Sequence, residues 1–387
     1  MQPVPVTHGS RVSWFELFYD LVLVAAVLHG SKLFDEDPSL AKGAWLAVTL
    51  MVLLTIWFLT TLTFNTVSKD WVLRRLIMLV QMLAVVIASL SISRTGGLSD
   101  SLGLLALGVA FGSVAVLYGM KARGAGSDRR GASIVGWSSA FAALLCFAGA
   151  VLPGTEGPVL SRPSTYAFGL AVAVVFVSFI AVYVREFRSA DSLDQEHLSE
   201  RVGQLVLISL GESFVSLILT LGDFNTIPNP PFLVLTFVVV YAMWVVYFRT
   251  VVPPGIPHAL GRLRAWIVVH YLLIFGVIGT AAGFSALAIV EFDDASSTME
   301  SYRLPLPLLY VMVTFAVLMW LAGTRWRRYL YVHSVAAILL LGLTLAGVLV
   351  FTNRAVTMGI LAAVIVVVDA SVIAWIDRRA AKPQEVS

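Results

Sequence analysis

Apolar runs of about 20 residues recur along this chain with only short polar links between them, and no other feature narrows its fold so far. At 1.5 Å of rise per residue, a helix of about that length crosses a hydrocarbon core of about 30 Å. Twelve such runs are read, at 14–34, 43–66, 72–92, 98–120, 133–152, 164–184, 200–222, 231–252, 265–290, 304–323, 329–351 and 355–376. Proline and glycine punctuate several links, as in Pro228, Pro230 and Pro231 before the eighth run and Pro253-Pro254-Gly255 after it. Hydrophobic residues are 59% of the 387 positions and charged residues 13%, with a mean hydropathy of +0.89. A soluble domain carries roughly 25% charge. The expected fold class is therefore all-α, a polytopic transmembrane helix bundle of about twelve spans.

The polar residues 1–13 are not followed by a short apolar core with a small-residue cleavage site, so the first run reads as a retained span. The one cysteine, Cys146, sits inside an apolar run, which leaves no intramolecular disulfide and no cysteine-based metal cluster. A net charge of +3 and a pI near 9.0 do not denote nucleic acid here, because the basic residues lie in the short links. Counting every second link from the N-terminal tail, 20 of the 26 lysines and arginines fall on one side and 6 on the other. Short links rich in Lys and Arg stay inside the cell, so both termini are expected to be cytoplasmic.

The two halves can be overlaid with a slowly growing offset. Glu16 and Asp20 fall on Glu200 and Gln204, Thr49 and Trp57 on Thr236 and Trp244, Arg75 and Gln81 on Arg264 and His270, and Gly169 on Gly359. The expected organisation is an N-terminal tail at 1–13, one six-helix half at 14–192, a second at 193–376 and a C-terminal tail at 377–387. Six spans per half would make the repeats parallel, related by an axis along the membrane normal, as in many transporters.

A charge near the bilayer centre costs at least about 2.5–3.5 kcal/mol on insertion scales, so each one needs a reason. The first span opens Trp14-Phe15-Glu16-Leu17-Phe18-Tyr19-Asp20-Leu21, with Glu16 and Asp20 on one helix face. Two carboxylates this close in low dielectric resist ionising together, so one can keep a proton, which suits proton relay or cation binding. Ser13-x-x-Glu16 equally has the form of a capping box, which would make Glu16 an N-terminal cap. On the seventh span, Glu200 and Arg201 read as a solvated pair at the inner surface. Glu212 lies about 18 Å further along the axis, in a polar stripe with Ser209, Ser213 and Ser216. Serines alone on such a stripe can simply pack helices together. Asp369, in the last span, has no charged neighbour in sequence and needs a partner on another helix. His270 is equally a hydrogen-bonding packing residue or a site; His29 and His333 read as packing, and Arg75, Arg262 and Arg264 as orientation signals. The ion- or proton-binding candidates are thus Glu16, Asp20, Glu212, His270 and Asp369, and their shared depth predicts a polar cavity open to the cytoplasm.

No phosphate-binding glycine loop, His-Glu-x-x-His or Gly-x-Ser-x-Gly elbow is present, and no stretch could fold into a nucleotide-binding domain. Neither a cofactor nor a metal is expected. Nucleotide-driven chemistry on this chain is excluded.

Trp14-x-Glu16-Leu17-Phe18-x-Asp20-Leu21 resembles the first signature of the bacterial low temperature requirement protein A family. Glu200-Arg201-x-Gly203, followed by Leu210-Gly211-Glu212, resembles its second. The resemblance covers nearly the whole chain and implies a multi-pass protein of the bacterial cell membrane, linked to growth in the cold in the case that named the family. It marks Trp14, Glu16, Phe18, Asp20, Glu200, Arg201, Gly203, Gly211 and Glu212 as motif positions without giving them roles.

The leading functional expectation is a secondary transporter or exchanger coupled to protons or another cation, with Asp20 and Glu212 binding the coupling ion and His270 or Asp369 nearby. The alternatives are a membrane-embedded acid–base enzyme on a lipid or isoprenoid and a non-catalytic membrane protein of cold adaptation. Expected partners are the lipid bilayer and a small-molecule or ion substrate, with a homo-oligomer left open and nucleic acid excluded.

Overall fold

The computed structural model describes residues 14–36, 40–63, 71–95, 101–123, 129–152, 162–185, 195–222, 229–290, 298–323, 327–349 and 354–380. The described residues are helical almost throughout and contain no strand. In order the helices are α1 (Trp14–Glu36), α2 (Leu40–Thr61), α3 (Trp71–Thr95), α4 (Ser101–Arg123), α5 (Arg129–Val151), α6 (Pro163–Val177), α7 (Gln195–Leu221), α8 (Pro230–Val246), α9 (Leu260–Ala288), the short α10 (Thr298–Tyr302), α11 (Pro305–Ala322), α12 (Arg327–Leu349) and α13 (Ala355–Ala380). α6 and α8 continue as π-helix over Ser178–Tyr183 and Tyr247–Val251.

Eleven helices are long and apolar enough, within the described residues, to cross a membrane. α1 is continuous over 23 residues, with its side chains described as far as Val27. Among the described residues, twelve long helices fall on the twelve runs read from the sequence, and α10 is a short addition within the link after the ninth. The chain is a polytopic helical membrane protein.

Local chemistry explains the ends. Pro163, Pro230 and Pro305 open α6, α8 and α11, where the missing N–H has no helical partner to lose. Gly323, with φ of 100°, closes α11 in a conformation that a side chain disfavours. Outward faces carry large apolar side chains such as Leu83, Phe237 and Ile338, as a hydrocarbon surrounding favours. Polar side chains turn inward instead: on α1, Glu16, Tyr19, Asp20, Leu23 and Val27 form the buried face, and Trp14, Phe18 and Leu21 the exposed one.

The chain forms two compact units, residues 1–201 and 202–387. The boundary falls inside α7, so its first two turns belong with the first unit. In the first unit α3 packs between α1 and α4, α5 between α4 and α6, and α2 against α1, α4 and α6. α4 and α5 approach closely: a Cβ on Gly136 would lie 3.6 Å from the Gly119 nitrogen and 3.7 Å from the Ala115 oxygen. In the second unit α11 packs between α9 and α12, and α13 against α12 and α8, while α8 also meets α9. Gly283 of α9 admits the chain after α10, since a Cβ there would fall 2.4 Å from the Arg303 carbonyl oxygen.

Candidate functional site

The inward face of α1 brings Asp20 against α2 and α7. Its side chain is fully buried. Oδ1 accepts from Arg201 Nη2 at 2.5 Å and from Trp57 Nε1 at 2.6 Å. The Arg201 guanidinium also lies 5.5 Å from the Trp57 ring centre, so one indole both donates to the acid and faces its counter-ion. Glu16, one turn before Asp20, is buried at 5% exposure. Its Oε2 lies 3.5 Å from Arg201 Nη1 and 3.7 Å from His197 Nε2. Arg74 of α3 is buried too and acts electrostatically on both Glu16 and Arg201. Two carboxylates thus meet the Arg201 guanidinium, with the Arg74 guanidinium near Glu16, a balance of formal charge that suits a low-dielectric interior.

Beside this cluster runs a chain of neutral hydrogen bonds. Tyr19, next to Asp20 on α1, donates to Gln81 Oε1 at 2.8 Å. Thr60 Oγ1, on α2, shares its proton between Gln81 Oε1 at 3.0 Å and the Ile56 carbonyl at 2.8 Å. Gln81 Nε2 donates to Ser113 Oγ on α4 at 2.9 Å, and Ser113 donates onward to the Ala110 carbonyl at 2.6 Å. α1, α2, α3 and α4 are tied through one amide whose oxygen accepts twice.

The solvated reading of Arg201 is corrected by this geometry. Glu200 is exposed as expected, but Arg201 is wholly buried and is the counter-ion of Asp20. One residue of helix turns a side chain by about 100°, enough to separate neighbours between surface and core. Glu16 is drawn into the same cluster; Ser13, its partner in a capping box, lies outside the described residues.

The other three candidates belong to the second unit. Glu212 is buried, as are Ser209, Ser213 and Ser216 of its stripe, and Ser216 meets Ser285 of α9 at 2.8 Å between hydroxyl oxygens. His270 is fully buried, with Nδ1 2.7 Å from the Trp266 carbonyl oxygen and Nε2 3.2 Å from the Tyr247 hydroxyl. A carbonyl only accepts, so Nδ1 carries the proton and Nε2 takes the hydroxyl's. Tyr247 stands at the start of the π-helical end of α8, a distortion frequent at functional sites.

Asp369 has the partner that its position called for. His333 Nδ1 lies 2.6 Å from Asp369 Oδ2, with both side chains fully buried, and His333 Nε2 lies 2.8 Å from the Met312 carbonyl oxygen. His333, read from the sequence as a packing residue, has a ring that bridges a carboxyl group and a backbone carbonyl. His29 lies outside the described side chains. The Phe315 ring stands between the two histidine pairs, 6.2 Å from Tyr247 and 5.9 Å from His333. Among the described residues no hydrogen bond joins His270 to Asp369.

Trp57, Tyr19, Thr60, Ser113, Arg74 and His197 were not among the candidates read from the sequence. Trp57 and Thr60, a helical turn apart and level with Gln81, carried a weak signal in their spacing. Ser113 and Arg74 carried none.

A family model described as bacterial low temperature requirement A protein matches residues 11–370, which include both signature segments. An uncharacterized protein of Rhizobium meliloti is 24% identical over 343 residues, 83% of this chain and 78% of that one. No solved structure matches.

Proposed function

This chain belongs to the bacterial low temperature requirement A family, and on that footing we propose that it is a secondary transporter or exchanger in which a proton or metal cation competes with Arg201 for Asp20. The observation that carries the reading is the shared oxygen of Asp20, which holds a guanidinium and an indole N–H inside the membrane-spanning part of the chain. A carboxylate so placed is stable only while its charge is matched. Protonation or a bound cation satisfies it as well as Arg201 does and breaks the Asp20 tie between α1 and α7, leaving Arg201 to Glu16. The reverse exchange restores the pair. Such a device needs no energy-coupling domain, since the ion gradient itself drives the swap.

Two parallel halves suit this role. The overlay that sets Trp57 on Trp244 carries Thr60 onto Tyr247, and Gln81 falls on His270; each pair is hydrogen-bonded within its own unit: Thr60 to Gln81, and Tyr247 to His270. The 20-to-6 division of basic residues puts both termini on the cytoplasmic side of the cell membrane.

Acid-loaded proteoliposomes holding the purified protein and a trapped pH-sensitive dye test the reading. External Na⁺ or K⁺ should release protons with wild-type protein and not with Asp20→Asn, while Asp20→Glu keeps part of the activity. Equal flux from Asp20→Asn, or none from folded wild-type protein with either cation, overturns it. A new product in lipid extracts of overproducing cells would instead favour a membrane-embedded acid–base enzyme.

A further inference from the structure

His333 and Asp369 belong to the second unit and play no part in the exchange just described. Their hydrogen bonds fix their proton content. The Met312 carbonyl oxygen, 2.8 Å from His333 Nε2, can only accept, so Nε2 must carry a hydrogen. The other ring nitrogen, Nδ1, stands 2.6 Å from Asp369 Oδ2. If neither of these atoms carried a hydrogen, two acceptors would face each other at 2.6 Å, too close for a water molecule to stand between them. One proton therefore lies between them, on Nδ1 as an imidazolium–carboxylate pair or on Oδ2 as a neutral imidazole–carboxylic acid pair. Both forms have zero net charge, which is why the pair can be fully buried between helices.

We propose that His333 and Asp369 form a binding site for one exchangeable proton, and that its occupancy clasps α11, α12 and α13 together. The three helices are joined at one ring: Met312 is on α11, His333 on α12 and Asp369 on α13. Loss of the proton leaves a carboxylate against an imidazole lone pair. The ring must then turn or the helices part, and the Met312 contact goes with it.

The charged and titratable groups around the pair are engaged elsewhere. On α12, Tyr329, one turn before His333, donates to Asp377 of α13 and accepts from Arg328 at 3.0 Å. Arg249 of α8 also binds Asp377, at 3.1 Å. Tyr247 of α8 and His270 of α9 bond one another beyond the Phe315 ring. Glu300 is on α10, and Leu304, two residues beyond its end, packs at the level of Gly359, ten residues or about 15 Å along α13 from Asp369. Among the described residues, no other charged group is hydrogen-bonded or ion-paired to His333 or Asp369.

Nitrogen NMR of ¹⁵N-histidine-labelled protein in lipid nanodiscs reads the site directly, with the His333 signals assigned among six histidines by their absence from His333→Gln. In wild-type protein Nε2 should stay protonated while the Nδ1 signal changes state as pH is raised. Amide deuterium uptake in α12 and α13, corrected for intrinsic exchange, should rise about tenfold over the same range, the equivalent of one lost hydrogen bond. Asp369→Asn places an amide N–H where the proton was, so its Nδ1 signal and deuterium uptake should not respond to pH. An unprotonated Nε2 in wild-type protein, or His333 signals constant over the whole pH range in which it stays folded, overturns the proposal. So does a titration that persists in Asp369→Asn. Should that variant not fold, the wild-type titration decides alone. None of these readings depends on transport, so they stand or fall separately from the Asp20 mechanism.

Discussion

Arg201 donates to Asp20 across 181 residues of sequence, at 2.5 Å and with neither side chain exposed. A pair so placed is held less by its own attraction than by the cost of separating it. Removing two charges from water costs several kcal/mol per ion, and the pairing returns that energy only while both partners are present. The first unit is therefore more sensitive to loss of one charge than to loss of both.

Arg201→Leu should destabilise the protein by about 3–5 kcal/mol, as a carboxylate left alone in the interior does. Asp20→Leu combined with Arg201→Leu should recover at least half of that loss. Thermal unfolding in detergent compares the three proteins. A double variant no more stable than the single one would show that the pair is held by something other than mutual charge compensation.

Trp57→Phe keeps the aromatic volume and deletes the N–H that reaches Asp20. A hydrogen bond to a charged group contributes about 1.5–3 kcal/mol, and the melting transition should fall accordingly. Trp57→Phe made in the Asp20→Leu background should cost much less, since the acceptor is gone. Equal losses in the two backgrounds would trace the effect to ring packing alone.

Gln81→Leu removes the acceptor of Tyr19 and leaves its hydroxyl buried. Thr60, which also lies beside the Tyr19 hydroxyl, and Ser113 keep their backbone partners, so the cost should be about 1–3 kcal/mol, set by the lost Tyr19–Gln81 bond. Adding Tyr19→Phe should return most of it. The cycle is read from unfolding midpoints, and full additivity of the two substitutions would deny the contact its role.

Gly283→Ala and Gly342→Ala should differ in sign. The first sets a methyl 2.4 Å from the Arg303 carbonyl oxygen, and backbone must move, at a cost of about 1–3 kcal/mol. At Gly342 a Cβ meets nothing within 4 Å, so the better helix propensity of alanine should stabilise by up to about 1 kcal/mol. Comparing their melting temperatures with wild type checks both.

The proposed orientation can be read with reporters. If both termini face the cytoplasm as proposed, alkaline phosphatase fused after residue 387 should be inactive and a fluorescent protein at the same place bright. The opposite pattern would invert every link.

The long helices, and the presence of Asp20, Glu212, His270 and Asp369 within them, were legible in the chain itself. Each follows from distance along one helix: an apolar run of about 20 residues has few alternatives in lipid, and depth is rise per residue times position. Signature segments such as Trp14 to Leu21 led to the family by the same linear reading. What no linear reading could supply was company. Arg201 is next to the exposed Glu200, and nothing in that neighbourhood says that it turns inward to Asp20 rather than out to water. His333 looks like any histidine in a span until α13 sets Asp369 against it and α11 offers the Met312 carbonyl. Helices of this kind are apolar on nearly every face, so their rotation and choice of neighbours carry only a weak imprint in hydrophobic pattern. Those are decided by close packing and by the need of each buried polar group for a partner, and both conditions exist only once the helices have met.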